Sequence, residues 1–318
     1  MSSYHSCRTG ALLAAACAVA AAPLRAQLNL GANAGEVRYE QVGGTGSVGI
    51  NPDLTLTGTR LLWNVGGTWS TATDGSRSLE GATTLWGATP MVASHVQLDG
   101  MLQGAYTSPA GDSTSYSLLG FGEAAFTGDS YGVGIGAGAL GAQITGSSAI
   151  SALRASARGW AEVGDWTLGL SVQPTALSTK VWFTDVTASA EIDPGKMEIS
   201  GTALLRQSPA TGLDLGGEGS FTYHITPRAA FAASAGRYLR DPFQGLPAGY
   251  HVNVGVVLTL WQPRAKETEG VGQADLTDVT LKSLGINGHG LGQSALRINP
   301  ATSKKVSGSS GGGRGHKP

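Results

Sequence analysis

The chain has 318 residues and a net charge of −1, from 21 basic and 22 acidic side chains. A net charge so close to zero provides no general basic surface, so nucleic acid is not expected as a partner. Charged residues make up only 14% of the chain and 49 residues are glycine. This composition suits either a membrane β-barrel or a glycine-rich secreted β protein such as a solenoid or fibre.

The N-terminus predicts export. Arg8 precedes an unbroken run of small apolar residues, Ala11–Ala22. A positive start, an apolar middle and a small residue at the end form the layout of a secretory signal peptide, and we expect cleavage after Ala26. The run is shorter than the ~20 apolar residues of a spanning helix. Cys17 offers a weaker interpretation as a lipoprotein site. Both cysteines, Cys7 and Cys17, lie inside the predicted signal, so the predicted mature chain forms no disulfide and no cysteine-bound metal site.

From residue 27 onward, segments of about ten residues alternate apolar with polar side chains, and turn residues separate them. Ser94–Tyr106 alternates cleanly, whereas Leu79–Gly87 is weak. In Leu28–Glu40 the apolar phase slips near Gly35, which predicts a bulge. The series predicts about fourteen strands, within a range of roughly 12–16, and an even number is expected for a bacterial single-chain barrel.

The connections between these strands alternate between short turns and longer, more polar loops. Asp193–Gly195 is a short turn, and Arg237–Gly249 is the longest loop. An up-and-down barrel has short turns at one end and longer loops at the other, whereas a soluble sandwich has no reason to sort its loops in this way. Aromatic residues fall near the predicted strand ends, as in interfacial girdles. They are Trp63, Trp69, Tyr106, Phe126, Tyr131, Trp160, Trp166, Trp182 and Trp261.

The last alternating segment, Tyr250–Trp261, carries a further signal. Its even positions are all apolar and its odd positions are mostly polar or small. The order of a polar residue, a glycine, two apolar residues and a final aromatic residue resembles the closing-strand signal of bacterial outer-membrane β-barrels. These residues are Asn253, Gly255, Leu258, Leu260 and Trp261. The segment departs from the family pattern because it has leucines where the family favours aromatics and because 57 residues follow its end.

The resemblance implies an all-β fold, a transmembrane up-and-down antiparallel β-barrel in the bacterial outer membrane. It also implies membrane lipid and the barrel-assembly machinery as partners. We therefore expect a signal peptide at 1–26, a barrel at 27–262 and a periplasmic tail at 263–318. The tail is basic and ends in a glycine-rich, low-complexity stretch. A plain solvated extension and a segment that contacts periplasmic envelope components both stay open for it.

Polar and charged side chains on the face opposite the apolar one are candidate lumen-lining residues. They are His95, Asp99, Glu123, Arg154, Arg158, Asp185, Glu191, Glu198, Arg206, Glu218, His224 and His251. Arg154 and Arg158 lie two registers apart on one strand. Two hypotheses follow: the arginines form a positive ladder that faces Glu191, Glu198 or Glu218, or they form simple stabilising ion pairs.

Two features bear on whether the lumen is open. A barrel of about fourteen strands is wider than the ~8-stranded kind that side chains fill, so it holds water unless something plugs it. Tyr131–Ala139 has glycine at every inward position, which leaves room for a long neighbouring side chain, a loop or a solute. The loop Arg237–Gly249 is expected to constrict the lumen, to contact an external ligand, or to be a plain rigid loop.

The leading functional hypothesis is a porin-like channel for passive passage of small hydrophilic solutes, by analogy of fold. The alternative is a closed structural or binding barrel without transport. A third hypothesis is an outer-membrane lipid-modifying enzyme, but no Gly-x-Ser-x-Gly elbow is present and isolated lumen histidines are more often polar lining. No catalytic residue is assigned. No metal ligand is assigned either, because no His-x-x-x-His spacing occurs, and no cofactor is expected.

Overall fold

The computed structural model describes residues 25–40, 43–57, 61–88, 95–109, 114–128, 130–192, 194–240 and 248–261. Within these ranges every regular element is a β-strand. The strands are β1 (Arg25–Tyr39), β2 (Gly43–Thr57), β3 (Leu61–Ala72), β4 (Arg77–Ala88), β5 (Val96–Pro109), β6 (Ser115–Thr127), β7 (Tyr131–Ile144), β8 (Ile150–Val163), β9 (Trp166–Leu177), β10 (Trp182–Ile192), β11 (Met197–Ser208), β12 (Gly212–Thr226), β13 (Ala229–Tyr238) and β14 (Gly249–Trp261). In the described part of the chain no helix is long and apolar enough to cross a membrane.

The fourteen strands form one closed antiparallel barrel. Each strand pairs with its neighbours in sequence, and β14 pairs with β1, with Leu28 opposite Trp261 and Tyr39 opposite Gly249. Because the first and last strands pair, the sheet has no free edge. The predicted closed barrel and the predicted number of strands are therefore confirmed, and the weak segment Leu79–Gly87 belongs to β4.

The two ends of the barrel differ. We call the end that carries Arg25 and Trp261 the terminal end, and the end that carries the β1–β2 and β13–β14 connections the loop end. The longest connection, 239–248, lies at the loop end. However, the β4–β5 connection at the terminal end, 89–95, is longer than the β11–β12 connection at the loop end, 209–211. The predicted alternation of short and long connections is therefore only approximate.

The outer surface of the barrel is apolar and the inner surface is largely polar. On β8, Arg154, Ser156 and Arg158 are buried, whereas Leu153, which precedes Arg154, is 69% exposed. Ile135 on β7 is 70% exposed. Successive side chains of a strand point to opposite faces, so the exposed apolar set covers the outside of the barrel. This distribution is the reverse of that in a soluble protein.

The predicted bulge at Gly35 is wrong. β1 pairs with β2 in one unbroken register through Gly35, and its pairing with β14 shifts only between Leu28 and Asn29. The apolar pattern of the sequence is interrupted because Glu36 and Arg38 occupy outward positions near the loop end, where both are exposed. The change is one of side-chain type and not of backbone geometry.

Two predicted boundaries lie at or beyond the edge of the described residues. Ala26, the predicted cleavage site, lies in β1 opposite Leu56, so cleavage after it would remove the first two residues of the strand. Residues 1–24, which hold the rest of the predicted signal peptide, lie outside the described residues, as does the predicted tail at 263–318.

An apolar cluster lies inside the barrel toward the loop end. Five buried inward side chains of β6–β10 form it, and three partly buried residues pack against it. The five are Leu119, Leu140, Ala152, Leu177 and Phe183, and the three are Met101, Ala142 and Ile150. Side chains therefore fill this sector of the interior, although the barrel has fourteen strands.

Candidate functional site

The glycine face of β7 makes room for side chains from both neighbouring strands. A Cβ atom on Gly134 would lie 2.6 Å from the Glu123 carboxyl carbon, and one on Gly136 would lie 2.5 Å from the Phe121 ring. A Cβ atom on Gly132 would overlap the ring of Trp160. Of the three predicted uses of this space, the structure shows long neighbouring side chains. It also corrects the girdle prediction for Trp160, which faces inward and is 5% exposed.

A buried ion pair crosses the glycine face. Arg158 on β8 donates from Nε to Glu123 Oε2 on β6 over 2.6 Å, and its Nη2 donates to Oε1. Both side chains are 2% exposed. The Arg158 guanidinium also lies 5.1 Å from the centre of the Trp160 ring. Two parallel hydrogen bonds and a stacked ring fix the position of this cation.

A second buried group joins four strands. Arg206 on β11 donates from Nε to Asp185 Oδ1 over 2.7 Å and from Nη2 to Oδ2 over 2.9 Å. Arg154 on β8 donates to the same carboxylate over 3.3 Å and to Thr175 Oγ1 on β9 over 3.0 Å. The Arg206 guanidinium lies 4.3 Å from the centre of the Phe183 ring. Two guanidinium groups thus share one carboxylate.

These contacts correct the predicted ladder. Arg154 and Arg158 do not face Glu191, Glu198 or Glu218. Their partners lie closer in the barrel wall, on β6 and β10. The hypothesis of stabilising ion pairs therefore describes the geometry, and all three inward arginines of β8 and β11 lie buried in carboxylate pairs.

Polar side chains of β1–β3 form a further buried network that the sequence analysis did not recognise. Asn51 donates to Asn33 Oδ1 over 3.0 Å, and Thr68 donates to Asn51 Oδ1 over 2.7 Å. Asn64 donates to Asp53 Oδ2 over 2.5 Å. The signal that could have revealed the network is asparagine or aspartate at inward positions of three consecutive strands, with Asn33 on β1, Asn51 and Asp53 on β2, and Asn64 on β3.

The candidates of β10–β12 are less buried. A hydrogen bond of 2.7 Å joins Glu198 Oε1 and His224 Nε2. The side chain of Glu198 is 14% exposed and that of His224 is 24% exposed. Glu218 lies 3.9 Å from His251 Nε2 and its side chain is 23% exposed. Glu191, at the end of β10, is partly buried. These carboxylates line a more open part of the interior than the arginines do.

The three histidines lie at separate places. His251 on β14 is buried, and its ring stacks on that of Tyr238 at 4.0 Å. His224 lies near the terminal end of β12. His95 is not on the inner wall: it precedes β5 in a turn, is exposed, and its ring lies 5.4 Å from that of Phe126, whose side chain points outward. Alternation along a strand does not determine the direction of a residue that precedes the strand.

Two groups of predicted residues remain. Asp99 lies on β5 opposite Glu123 in the register, and its side chain is outside the described part. In the closing strand, Asn253 is buried. A Cβ atom on Gly255 would lie 2.8 Å from the carbonyl oxygen of Ala32 on β1. The other three members of the signal, Leu258, Leu260 and Trp261, are exposed on the outer face.

The chain turns inward after β13. Leu239 is 1% exposed and covers the inner side of β12, where a Cβ atom on Gly216 would lie 2.9 Å from Leu239 Cδ2. Arg206 donates from Nη1 to the carbonyl oxygen of Arg240 over 2.9 Å. The described start of the longest connection therefore packs against the inner wall at the loop end, and the three hypotheses for this loop stay predictions.

Open space remains on two opposite walls. Ala82 on β4 is exposed on the inner wall. It lies opposite Gly66, which has no side chain; a Cβ atom there would point inward toward Asp53. On the other wall the inward residues Ser189, Thr202 and Glu218 of β10–β12 are partly exposed. Strands β4 and β11 lie seven positions apart in the ring of fourteen, so these two open regions face each other.

No protein-family model and no curated protein matches this sequence. Among solved structures, the chain is similar to the CymD monoaromatic hydrocarbon channel, with 10% identity, a TM-score of 0.49, and coverage of 74% of this chain and 88% of that one. It is also similar to an anion-selective porin from Comamonas acidovorans, with 10% identity, a TM-score of 0.45 and coverage of 75% and 100%. The Acinetobacter baumannii outer membrane protein Omp33 gives 12% identity, a TM-score of 0.43 and coverage of 74% and 99%. At these identities and TM-scores the similarity supports no conclusion about function, and the fold is established by the strand pairing described above.

Proposed function

We propose that the chain is an outer-membrane channel through which small hydrophilic solutes pass passively. The observation that carries this proposal is the reversed surface of the barrel, with exposed apolar side chains outside and polar side chains inside. In hydrocarbon every backbone N–H and C=O group needs a partner within the protein, and a closed sheet supplies all of them. An apolar exterior around a polar interior is the arrangement of outer-membrane barrels.

Exposed aromatic residues at the strand ends support the membrane location. Trp166 and Trp182 begin β9 and β10, Trp261 ends β14, and each is about half exposed. Tryptophan favours the boundary between headgroups and hydrocarbon, because its ring is apolar and its N–H group is polar. These three residues lie at both ends of the barrel, as the two girdles of a membrane barrel require.

The open inner walls support passage of solutes. The exposed inward Ala82 and the partly exposed inward side chains of β10–β12 border space that water fills in a polar interior. The lining of that space includes hydroxyl groups and carboxylates, which favour hydrophilic solutes over apolar ones. A channel of this kind needs no catalytic group or cofactor.

A closed structural barrel is the second candidate, because of the packing at the loop end. Leu239 and Phe183 are each 1% exposed, and Leu204 on β11 is buried as well. Arg206 on β11 donates a hydrogen bond to the carbonyl oxygen of Arg240 in the connection after β13. If this packing persists in the membrane, solutes stop at the loop end. The two candidates share a fold and differ only in whether a continuous path exists.

Single-channel recording in a planar bilayer separates the two candidates. The protein is tested as the full mature chain and as a form that lacks residues 263–318. Discrete conductance steps in both forms support the channel. Steps only in the shortened form assign closure to the tail. A folded barrel without steps in either form contradicts the channel and favours the closed barrel.

A further inference from the structure

We propose that the outer wall of the barrel holds one acyl chain of a membrane lipid in a recess on β10–β13. The recess has a volume of about 530 Å³ and lies midway along these strands. We call it the outer recess. The site requires only that this wall faces hydrocarbon, so it is independent of whether the lumen conducts.

The floor of the outer recess carries only glycine and alanine on its outward face. These residues lie in two neighbouring rows that cross four adjacent strands. One row contains Ala188, Ala203 and Gly217, and the other contains Ala190, Gly201, Gly219 and Ala235. The residues between them along each strand point inward and contribute only backbone atoms to the floor. No outward side chain on the floor is therefore longer than a methyl group.

Bulky apolar side chains border the outer recess. On β9, Leu168 and Leu170 lie opposite the two floor residues of β10, and they are 41% and 54% exposed. On β14, Val252 is exposed and lies opposite the floor residue of β13. The next outward residues along β11 and β12 are also large: Ile199, Leu205, Leu215 and Phe221. Because the floor is bordered in this way, the small residues form a closed depression in the wall.

The dimensions of the outer recess suit an acyl chain. Its floor spans ~14 Å across four strands and ~7 Å along them. An acyl chain is slender and flexible, so it fits between the bordering side chains and touches the floor and the border together. Each contact between two carbon atoms contributes little, but a chain in the recess makes more of these contacts than a chain on a flat wall. We therefore expect this chain to exchange with bulk lipid more slowly than its neighbours.

A second copy of the protein fits the outer recess poorly. The floor covers about 100 Å², far below the ~800 Å² that each partner buries in a stable complex. The outer wall of a barrel is convex, so the bordering side chains would meet a second wall before it reached the floor. In a two-fold symmetric pair the same patch faces itself, so one recess would lie over another and neither would be filled.

The charged group at one corner of the outer recess is already compensated. Arg237 lies opposite Gly217, on the side of the recess toward the loop end. Its guanidinium donates to Asp214 Oδ1 over 2.8 Å and to Glu40 Oε1 over 3.0 Å. It also lies 6.0 Å from the centre of the Tyr250 ring. The recess therefore selects for the hydrocarbon chain of a lipid and not for the charge of its headgroup.

Native mass spectrometry of the full mature chain, refolded in detergent, tests this inference. The probes are dioleoylphosphatidylcholine and dioleoylphosphatidylglycerol, which share acyl chains and differ in headgroup charge. We expect one lipid to stay on the barrel with either headgroup when the detergent is removed. Gly201→Leu fills the floor, and a Cβ atom at this position meets nothing within 4 Å, so the variant is expected to fold. The loss of roughly ten carbon contacts is expected to weaken lipid binding about tenfold.

The matched control is Gly141→Leu on the outward face of β7, outside the recess, where a Cβ atom also meets nothing within 4 Å. We expect it to leave lipid binding unchanged. Gel migration without heating verifies that each variant is folded. If Gly201→Leu does not fold, Ala203→Val takes its place, with a smaller loss of binding expected.

Equal lipid binding by the filled variant and the control overturns the inference, and so does binding that only one of the two headgroups supports. A dimer of the unaltered protein that Gly201→Leu dissociates assigns the recess to a second copy and overturns the acyl-chain site as well. None of these outcomes depends on conductance, which the planar-bilayer recordings measure separately.

Discussion

At the residue scale, the ion pair between Glu123 and Arg158 depends on the absence of side chains from β7. The two residues lie on strands that do not pair with each other, and Gly134 lies between them. Removing the Cβ atom from that position lets two long side chains meet across one strand. The pair is fully buried, so each charge depends on the other for compensation.

Removing one member of this pair is expected to be costly. Glu123→Ala leaves a buried guanidinium without its carboxylate, and we expect a loss of about 3–5 kcal/mol in the free energy of unfolding. The double variant Glu123→Leu with Arg158→Met is expected to recover most of this loss, because no buried charge remains. Denaturant unfolding in detergent, followed by tryptophan fluorescence, measures both. A loss below about 1 kcal/mol, as expected for the exposed pair of Glu36 and Arg38, would contradict the account.

The glycine face predicts a second residue-scale effect. Gly134→Val is expected to lower the yield of folded barrel, because its Cβ atom alone would clash with the Glu123 carboxylate. Gly141→Val on the same strand is the matched control, since a Cβ atom there meets nothing within 4 Å. The folded fraction is measured by gel migration without heating. Equal yields for the two variants would show that the space over Gly134 is not needed.

At the element scale, the start of the connection after β13 packs against the inner wall at the loop end. Leu239 covers the inner side of β12, and Arg206 on β11 holds the adjoining carbonyl group. The described start of this connection therefore belongs to the wall of the interior. Its packing determines whether the inner space along β10–β12 continues to the loop end.

Shortening Leu239 is expected to widen the path. Leu239→Gly removes a buried side chain from the loop end, so we expect larger single-channel conductance together with a loss of about 2–5 kcal/mol in the free energy of unfolding. The control is Leu213→Gly, because Leu213 is 64% exposed on the outer face of β12 near the same end. A conductance equal to that of the unaltered protein would place the narrowest point elsewhere.

The strands themselves were largely predictable from the sequence. Period-two alternation identified all fourteen, because a lipid-facing side requires an apolar residue at every second position. Loop lengths distinguish the two ends of the barrel only approximately, since 89–95 at the terminal end is a long connection. The partners of Arg154 and Arg158 were not predictable, because a strand pattern gives the face of a residue but not the reach of its side chain across a glycine. The inward turn at Leu239 depends on tertiary packing that no local pattern records.

At the scale of the whole molecule, the account requires that the apolar exterior faces hydrocarbon. Ile135 lies within β7 and is 70% exposed. Ile135→Arg is expected to destabilise the barrel in lipid vesicles by about 2–4 kcal/mol, whereas Leu213→Arg near a strand end is expected to cost about 0–1 kcal/mol. Unfolding in denaturant measures both values. Equal and small effects would mean that the outer face meets water.

The most direct test of the central claim is gel migration of the protein from isolated outer membranes, with and without heating. The account predicts that the protein is recovered in the outer-membrane fraction and that the unheated form migrates differently from the heated form, because a closed barrel resists unfolding by detergent at low temperature. Recovery in the soluble secreted fraction, with migration unaffected by heat, would contradict the membrane barrel and every functional proposal that depends on it.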